Sequence, residues 1–138
     1  MKWKSRAFFL FTLLSILCSE SGIVLAEERK GKAVYETSTE LGMKLTDKAL
    51  VNIEVKTMGL ISDREAKVPS ESLVYFQDYV GVYRLRDGWW KLIKVSIKSK
   101  ALNFSVIQSN DLKAQDQIVV HGADLMRVSE LDAFGAGE

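Results

Sequence analysis

The chain has 138 residues and a formal net charge of +1, with 19 Lys and Arg against 18 Asp and Glu. This length accommodates one domain. The absence of a basic excess argues against a nucleic-acid partner, and the single cysteine excludes a framework of internal disulfides. We therefore expect one small domain that is stabilised by its hydrophobic core.

The first 26 residues have the pattern of a secretory signal peptide. Basic residues open the chain, an apolar run covers residues 7–17, Glu20 breaks that run, and Ala26 precedes Glu27. A small residue at the last position before the cut is typical of signal-peptide cleavage. The sequence therefore predicts a signal peptide over residues 1–26, cleavage between Ala26 and Glu27, and export of the remaining chain.

Two alternatives to cleavage stay open. An uncleaved membrane anchor needs about 20 apolar residues, and Glu20 interrupts the apolar run before that length is reached. A lipid on Cys18 would need a lipoprotein signal, which prefers a small residue where this chain has Leu17. If cleavage follows Ala26, residues 27–138 keep a formal charge of −1 and no cysteine.

The first elements after the signal are weakly marked. Residues 27–44 are predicted to form a polar leader with one short strand at 33–37. Residues 45–50 are typical of a helical turn, which Thr46 caps by accepting a hydrogen bond from a following backbone amide. In residues 51–57 apolar and polar side chains alternate, and this alternation predicts a strand with one buried face.

Turn signals divide the rest of the chain. Pro69 has a fixed φ and favours an extended residue before it, so a strand should end or bend there. Asp87 and Gly88 are a strong hairpin signal, since both central residues of that turn need positive φ. Further strands are predicted at residues 73–76, 79–85, 89–98, 101–107 and 117–120, with a short helix at 123–128.

These elements predict an all-β fold, a small antiparallel β-barrel or roll of about six or seven strands with one or two short helices. In the strand at 101–107, the apolar side chains at positions 102, 104 and 106 are expected to face the core. The β domain is predicted to cover residues 45–130. Residues 131–138 are predicted to form a flexible tail.

The groups that an enzyme or a metal site requires are not gathered in this sequence. His121 is the only histidine, and no cysteine stands near it, so the spacings of metal ligands and of nucleophilic triads are missing. Met43, Met58 and Met126 are scattered, although thioethers can bind soft ions such as Cu(I) and Ag(I). No carboxylate pair or glycine-rich phosphate loop is recognisable. We therefore predict no enzymatic activity, no catalytic residue, no cofactor and no metal site.

Trp89 and Trp90 form an aromatic pair next to a hairpin turn. Adjacent strand residues point to opposite faces, so one ring should pack in the core while the other faces outward. Because tryptophan is enriched at protein interfaces, Trp89, Trp90 and the neighbouring Tyr83 are candidate partner-interface residues. The alternative is that both rings belong to the core or to its edge.

Several short segments resemble a known family. Residues 45–57 are similar to the opening of periplasmic adaptor subunits, the membrane fusion proteins of resistance-nodulation-division efflux systems, and the heavy-metal efflux branch is the most similar. Ala114-Gln115 stands where that family usually has Pro-Gly before Asp116. The other segments that carry the resemblance are Val68-Pro69-x-x-x-Leu73-Val74, Val82-Tyr83-Arg84-Leu85, Leu112, and Asp116-x-Ile118-Val119-Val120-x-Gly122-x-x-Leu125.

The resemblance covers the membrane-proximal domain alone, which in that family is built from both ends of the chain. It implies a non-enzymatic periplasmic module, accessory to a metal or drug efflux system, that docks on an inner-membrane efflux pump or on its full-length adaptor subunit. The β-barrel domain, the lipoyl-like domain and the α-helical hairpin of a complete adaptor have no counterpart between residues 57 and 68. A small periplasmic soft-metal-binding or delivery protein, and a degenerate adaptor remnant, stay as alternatives.

Overall fold

The structure is a computed structural model that describes residues 32–135, within which it has nine β-strands and two α-helices. The predicted signal peptide, its cleavage site between Ala26 and Glu27, and Cys18 lie outside the described residues. The elements in chain order are β1 (Val34–Ser38), β2 (Gly42–Leu45), α1 (Asp47–Ile53), β3 (Lys56–Gly59), β4 (Glu65–Pro69), a 3-10 turn (Ser70–Ser72), β5 (Val74–Tyr75), β6 (Val80–Arg86), β7 (Trp89–Lys100), β8 (Phe104–Gln108), β9 (Gln117–His121) and α2 (Ala123–Phe134).

All strand pairs are antiparallel. Six strands follow the order β1-β2-β7-β6-β9-β3, and β5 pairs with the start of β6. The 12-residue β7 belongs to two layers, because its first half pairs with β6 and its second half pairs with β8, which also pairs with β4. The predicted all-β fold is confirmed, although the sheet has nine strands and does not close into a barrel.

The central strands bury both of their faces. Because neighbouring strand residues point to opposite sides, Val82 and Tyr83 enter two different core clusters. The helix-side core, covered by α1 and α2, contains Val34, Met43, Leu45, Ala49, Val74, Tyr83, Trp90, Val119, Ala123 and Met126. The strand-side core, covered by β4 and β8, contains Leu60, Ala66, Val68, Leu73, Val82, Ile93, Val95, Ile107, Leu112 and Ile118. The described part of the chain thus carries its own hydrophobic core.

The strand predicted at residues 51–57 is wrong in its first half, which is helical. Helix α1 follows Thr46, whose Oγ1 accepts the predicted capping hydrogen bond from Ala49 N at 3.2 Å, and continues to Ile53. Ala49 and Ile53, four residues apart on one helical face, both contact the helix-side core, whereas Val51 is 73% exposed. Tertiary packing of this face outweighs the local alternation.

The prediction that the even-numbered side chains of residues 102–106 face the core is also wrong. Ser105 and Ile107 are fully buried, whereas Leu102 and Phe104 lie at the surface. Ser105 faces inward because it is paired with the buried Val68 in the β4–β8 ladder. Directly opposed residues of an antiparallel pair share one face of the sheet.

The domain extends past its predicted limits at both ends. Residues 27–44, predicted as a leader, contain β1 and most of β2, and β1 corresponds to the short strand predicted at 33–37. Helix α2 was predicted to end at residue 128 but continues to Phe134, into the predicted tail. Val34 and Ala133 pack in or against the helix-side core, and this burial explains why both ends are ordered.

Candidate functional site

The three predicted interface residues lie mostly inside the domain. Tyr83 is fully buried and Trp90 is 6% exposed, both in the helix-side core. Trp89 is half-buried, and Lys44 Nζ lies 4.4 Å from its ring centroid. The expectation that one ring packs in the core holds for Trp90, whereas Trp89, the ring expected to face outward, is half-buried. The assignment of Tyr83 and Trp90 to a partner surface is corrected, because their rings fill the core beneath α2.

Tyr83 starts a polar network that joins the central sheet to α2. Its hydroxyl donates a 2.6 Å hydrogen bond to Glu130 Oε2, and Arg127 Nη1 contacts the same oxygen at 2.5 Å. The Arg127 guanidinium lies 3.8 Å from the ring centroid of Phe76, which is stacked on Tyr79 with centroids 4.9 Å apart. This chain of contacts holds α2 against β6 and the loop that follows β5.

The Tyr83 hydroxyl acts as a hydrogen-bond donor in this network. Burial, followed by the hydrogen bond to Glu130, raises the pKa of Tyr83 far above its ordinary value of 10.0. A general base needs a pKa near the operating pH. The phenol therefore stays protonated and donates its hydrogen bond to Glu130.

Replacing Tyr83 with phenylalanine is expected to lower the free energy of unfolding by about 1.5 kcal/mol, the usual cost of losing a hydrogen bond to a charged group. The ring stays in place while Glu130 loses one of its two partners. Urea unfolding of the two proteins measures the difference. Tyr35→Phe is the matched control, because the Tyr35 side chain is 63% exposed, and a loss as large in the control would contradict a specific role for the Tyr83 hydroxyl.

A shallow groove of about 380 Å³ runs between α2, the β1–β2 hairpin and β7. Its charged lining residues are Lys91, Arg127 and Glu130. Lys91 Nζ donates to the backbone oxygen of Glu40, and Arg127 is paired with Glu130. These three groups therefore all have partners within the domain.

A second polar cluster joins the end of β6 to the loop that precedes β9. The Asp116 carboxylate, 4% exposed, accepts hydrogen bonds from Arg86 Nε and Nη2 at 2.7 and 2.6 Å and from Lys113 N at 2.9 Å. Arg84 and Arg86 also donate to the backbone oxygen of Asp111 at 3.2 and 2.9 Å. A carboxylate with this bidentate partner is a strongly held anchor for the loop.

Stability should depend on the charge of Asp116. Burial raises the pKa of Asp116, but the hydrogen bonds from Arg86 and from Lys113 N outweigh burial and hold the pKa below its ordinary value of 3.8. The contribution of Asp116 is therefore complete above pH 3.8 and is lost as the pH falls through the lower pKa of the folded state.

We therefore expect the difference in free energy of unfolding between the unmodified protein and Asp116→Asn to shrink as the pH falls below 3.8. Urea unfolding at several acidic pH values measures that difference. A difference that stays constant, or grows as the pH falls, would contradict the proposed charge dependence.

Helix α2 presents an apolar outer surface. Leu125, Val128, Leu131 and Phe134 are 53%, 62%, 36% and 45% exposed. Residues three apart are neighbours on a helix surface, so these four side chains form a row, here called the α2 outer strip, which winds half-way round the helix and ends at Leu131 and Phe134 on the edge of the groove. Contiguous exposed apolar residues are typical of an interaction surface.

The histidine and methionines on which the soft-metal alternative depends are dispersed in the fold. His121 ends β9 with its side chain 44% exposed, and its Nδ1 lies 3.7 Å from Glu71 Oε2. Met43 and Met126 are buried in the helix-side core, and Met58 packs against the strand-side core. Within residues 32–135, no three His, Cys, Asp or Glu side chains are grouped so that they could hold a metal ion.

The charged residues of the two polar clusters carried little signal in the sequence. Arg127 and Glu130 are three residues apart, a spacing that favours an ion pair on a helix, but this signal does not distinguish a buried pair from a surface one. Arg86 and Asp116 are 30 residues apart, so only the pairing of β6 with β9 reveals that they meet.

No family model matches the chain, and neither a curated protein nor a solved structure matches it. Of the two helices in the described residues, neither is long and apolar enough to cross a membrane.

Proposed function

We propose that this chain is a non-enzymatic, periplasmic adaptor-like module, accessory to a resistance-nodulation-division efflux system for metals or drugs. It acts by docking on the inner-membrane pump or on the full-length adaptor subunit. The proposal joins the family resemblance of the sequence to the way in which the similar segments meet in the fold.

The pairing of β3 with β9 is the observation that carries the proposal. The segments that resemble adaptor subunits are separate in sequence, one ending at residue 57 and the other starting at residue 68. Thr57 lies opposite Val119 and Met58 opposite Ile118 in an antiparallel ladder. The resemblance implies a domain assembled from two distant parts of the chain, and a ladder between those parts supports this interpretation.

The short connection between β3 and β4 supports a free-standing module. Leu60 N donates to Asp116 O at 2.8 Å, and Gln115 N donates to Leu60 O at 3.0 Å. Arg64 N donates to Leu112 O at 3.0 Å. Residues 60–64 are therefore bonded to the domain at both ends, at the place where the resemblance would put the outer domains of a complete adaptor.

Docking requires an exposed surface, and the α2 outer strip is the surface that we assign to the pump or the full-length adaptor. Its apolar side chains would lose contact with water on association, which is the main favourable term in forming such interfaces. The predicted interface residues Tyr83 and Trp90 contribute to this surface only indirectly, since they belong to the core cluster against which α2 packs.

Affinity purification of the tagged protein from gently solubilised membranes tests the proposal. We expect inner-membrane pump or adaptor components in the eluate, identified by mass spectrometry. Val128→Glu should reduce their recovery about tenfold or more, since it buries a charge at the interface. Val51→Glu, on the exposed face of α1, is the matched control and should leave recovery unchanged. The proposal would be overturned if the tagged protein were recovered only as a free monomer under conditions that keep assembled pumps intact.

A further inference from the structure

The β7–β8 hairpin projects an apolar side chain into solvent. Leu102, in the turn, is 93% exposed. Two backbone hydrogen bonds fix the turn around Leu102. Ser70 N donates to Asn103 O at 3.1 Å, and Ala101 N donates to Phe104 O at 2.8 Å. We use the name hairpin tip for the turn and the side chains around it, which are Lys67, Tyr75, Lys98, Lys100, Leu102 and Phe104.

Basic and aromatic side chains alternate around Leu102. Lys67 Nζ lies 3.7 Å from the ring centroid of Phe104, which is itself 37% exposed. Lys100 Nζ donates a 3.2 Å hydrogen bond to the hydroxyl of Tyr75, which is 59% exposed. The charged end of Lys67 thus lies over an aromatic ring in a cation–π contact, and the charged end of Lys100 is bonded to a tyrosine hydroxyl.

In the described part of the chain, the lysines of the hairpin tip are not paired with carboxylates. Within residues 32–135, Lys67, Lys98 and Lys100 form no ion pair with a carboxylate. Glu71, in the turn next to β4, instead lies 3.7 Å from His121. Since the whole chain is close to neutral, three lysines without an ion-pair partner among the described residues, beside the single carboxylate of Glu71, give this end of the domain a local excess of positive charge.

We propose that the hairpin tip binds the surface of an anionic phospholipid bilayer. Leu102 enters the boundary between headgroups and acyl chains, Tyr75 and Phe104 lie at headgroup level, and Lys67, Lys98 and Lys100 contact lipid phosphates. Each component has a known preference: aromatic rings for the membrane interface, apolar side chains for its inner edge, and lysines for the negative surface potential.

The shape of the tip favours a bilayer over a protein partner. A stable protein interface buries about 800 Å² on each side, which calls for a broad complementary surface. The hairpin tip instead has one protruding leucine with lysines on either side of it. A fluid bilayer can accommodate a single inserted side chain of this kind without a complementary surface. This inference stands on these residues alone and is independent of docking on a pump.

Partitioning onto vesicles tests the proposal on residues 27–138, which contain all of the described residues and lack the apolar run. We expect binding to phosphatidylcholine vesicles that contain phosphatidylglycerol, little binding to phosphatidylcholine alone, and weakening by added salt. Removing one lysine near such a surface costs about fivefold in affinity. Combined replacement of Lys67, Lys98 and Lys100 with glutamine should therefore weaken binding about a hundredfold.

Matched controls separate the tip from net charge and from hydrophobicity. The triple replacement of Lys48, Lys56 and Lys113 with glutamine changes the net charge equally, and all three side chains are exposed elsewhere on the domain. Leu102→Asp should weaken binding at least about tenfold, since the leucine that would be buried in the bilayer is lost. Ile61→Asp, at a side chain that is 97% exposed, should have no effect.

A fluorescent label reports insertion directly, because residues 27–138 contain no cysteine. An environment-sensitive dye on Leu102→Cys should shift its emission to the blue on anionic vesicles, and the same dye on Ile61→Cys should not. Equal binding to neutral vesicles, an equal loss in the control triple variant, or no shift at position 102 would overturn the proposal. Binding to soluble polyglutamate as tight as to vesicles would identify an acidic-polymer site instead, and would also overturn it.

Discussion

Replacing Gly42 with alanine is expected to lower the free energy of unfolding by at least about 4 kcal/mol. Gly42 has φ +107°, and a Cβ at this position would lie 2.1 Å from the backbone oxygen of Trp90. An L-residue is strained at such a φ, and the contact with backbone cannot be relieved by rotating a side chain. The next residue, Met43, is paired with Trp90 and joins β2 to β7.

The loss of this junction would expose the β1–β2 side of the helix-side core. Val34, Met43 and Leu45 are all buried there. A domain of this size has about 5–15 kcal/mol of stability, so a loss of about 4 kcal/mol removes between roughly a quarter and four-fifths of it. Urea unfolding followed by tryptophan fluorescence measures the loss, since Trp89 and Trp90 adjoin the site.

Gly59→Ala is the matched control for the glycine substitution. A Cβ on Gly59 would meet no atom within 4 Å, and Gly59 does not have a positive φ. We expect a change within about 0.5 kcal/mol. If Gly42→Ala were as stable as Gly59→Ala, the close approach of β2 to β7 would be contradicted.

Asp116→Ala is expected to cost about 3 kcal/mol of unfolding free energy. Breaking a buried ion pair leaves its partner without compensation, here the Arg86 guanidinium, which is 29% exposed and so partly relieved by water. The substitution also removes the acceptor for Lys113 N. At about 4–8 °C of melting temperature per kcal/mol in a domain of this size, the midpoint should fall by more than 10 °C.

A double-mutant cycle with Arg86→Met tests whether the cost belongs to the pair. The double variant should be more stable than the sum of the two single losses predicts, because neither charge is then left alone. Calorimetry of the four proteins supplies the midpoints. Additive losses would show that Asp116 and Arg86 stabilise the domain separately.

Turn chemistry was predicted correctly because it acts over two or three residues. β4 ends at Pro69, as the fixed φ of proline requires. Asp87 and Gly88 have φ 51° and 79°, the positive values that the hairpin signal demanded. The Thr46 cap belongs to the same group, since its hydrogen bond spans only three residues.

Burial was harder to predict, because side chains on both faces of the central strands are apolar. Alternation then identifies a strand but not which face meets which core. The inward Ser105 and outward Phe104 of β8 follow from pairing with β4. Tyr83 and Trp90 illustrate the same difficulty for the candidate interface, since their aromatic character suits a core as well as a surface.

The amino-acid sequence by itself determined the antiparallel all-β character and the positions of most turns, because each of these depends on neighbours along the chain. Only the tertiary structure decided that residues 47–53 are helical, that β3 pairs with β9, and that Arg86 meets Asp116. Those outcomes depend on which distant segments become neighbours, and the energy of burial and pairing exists only once they have met.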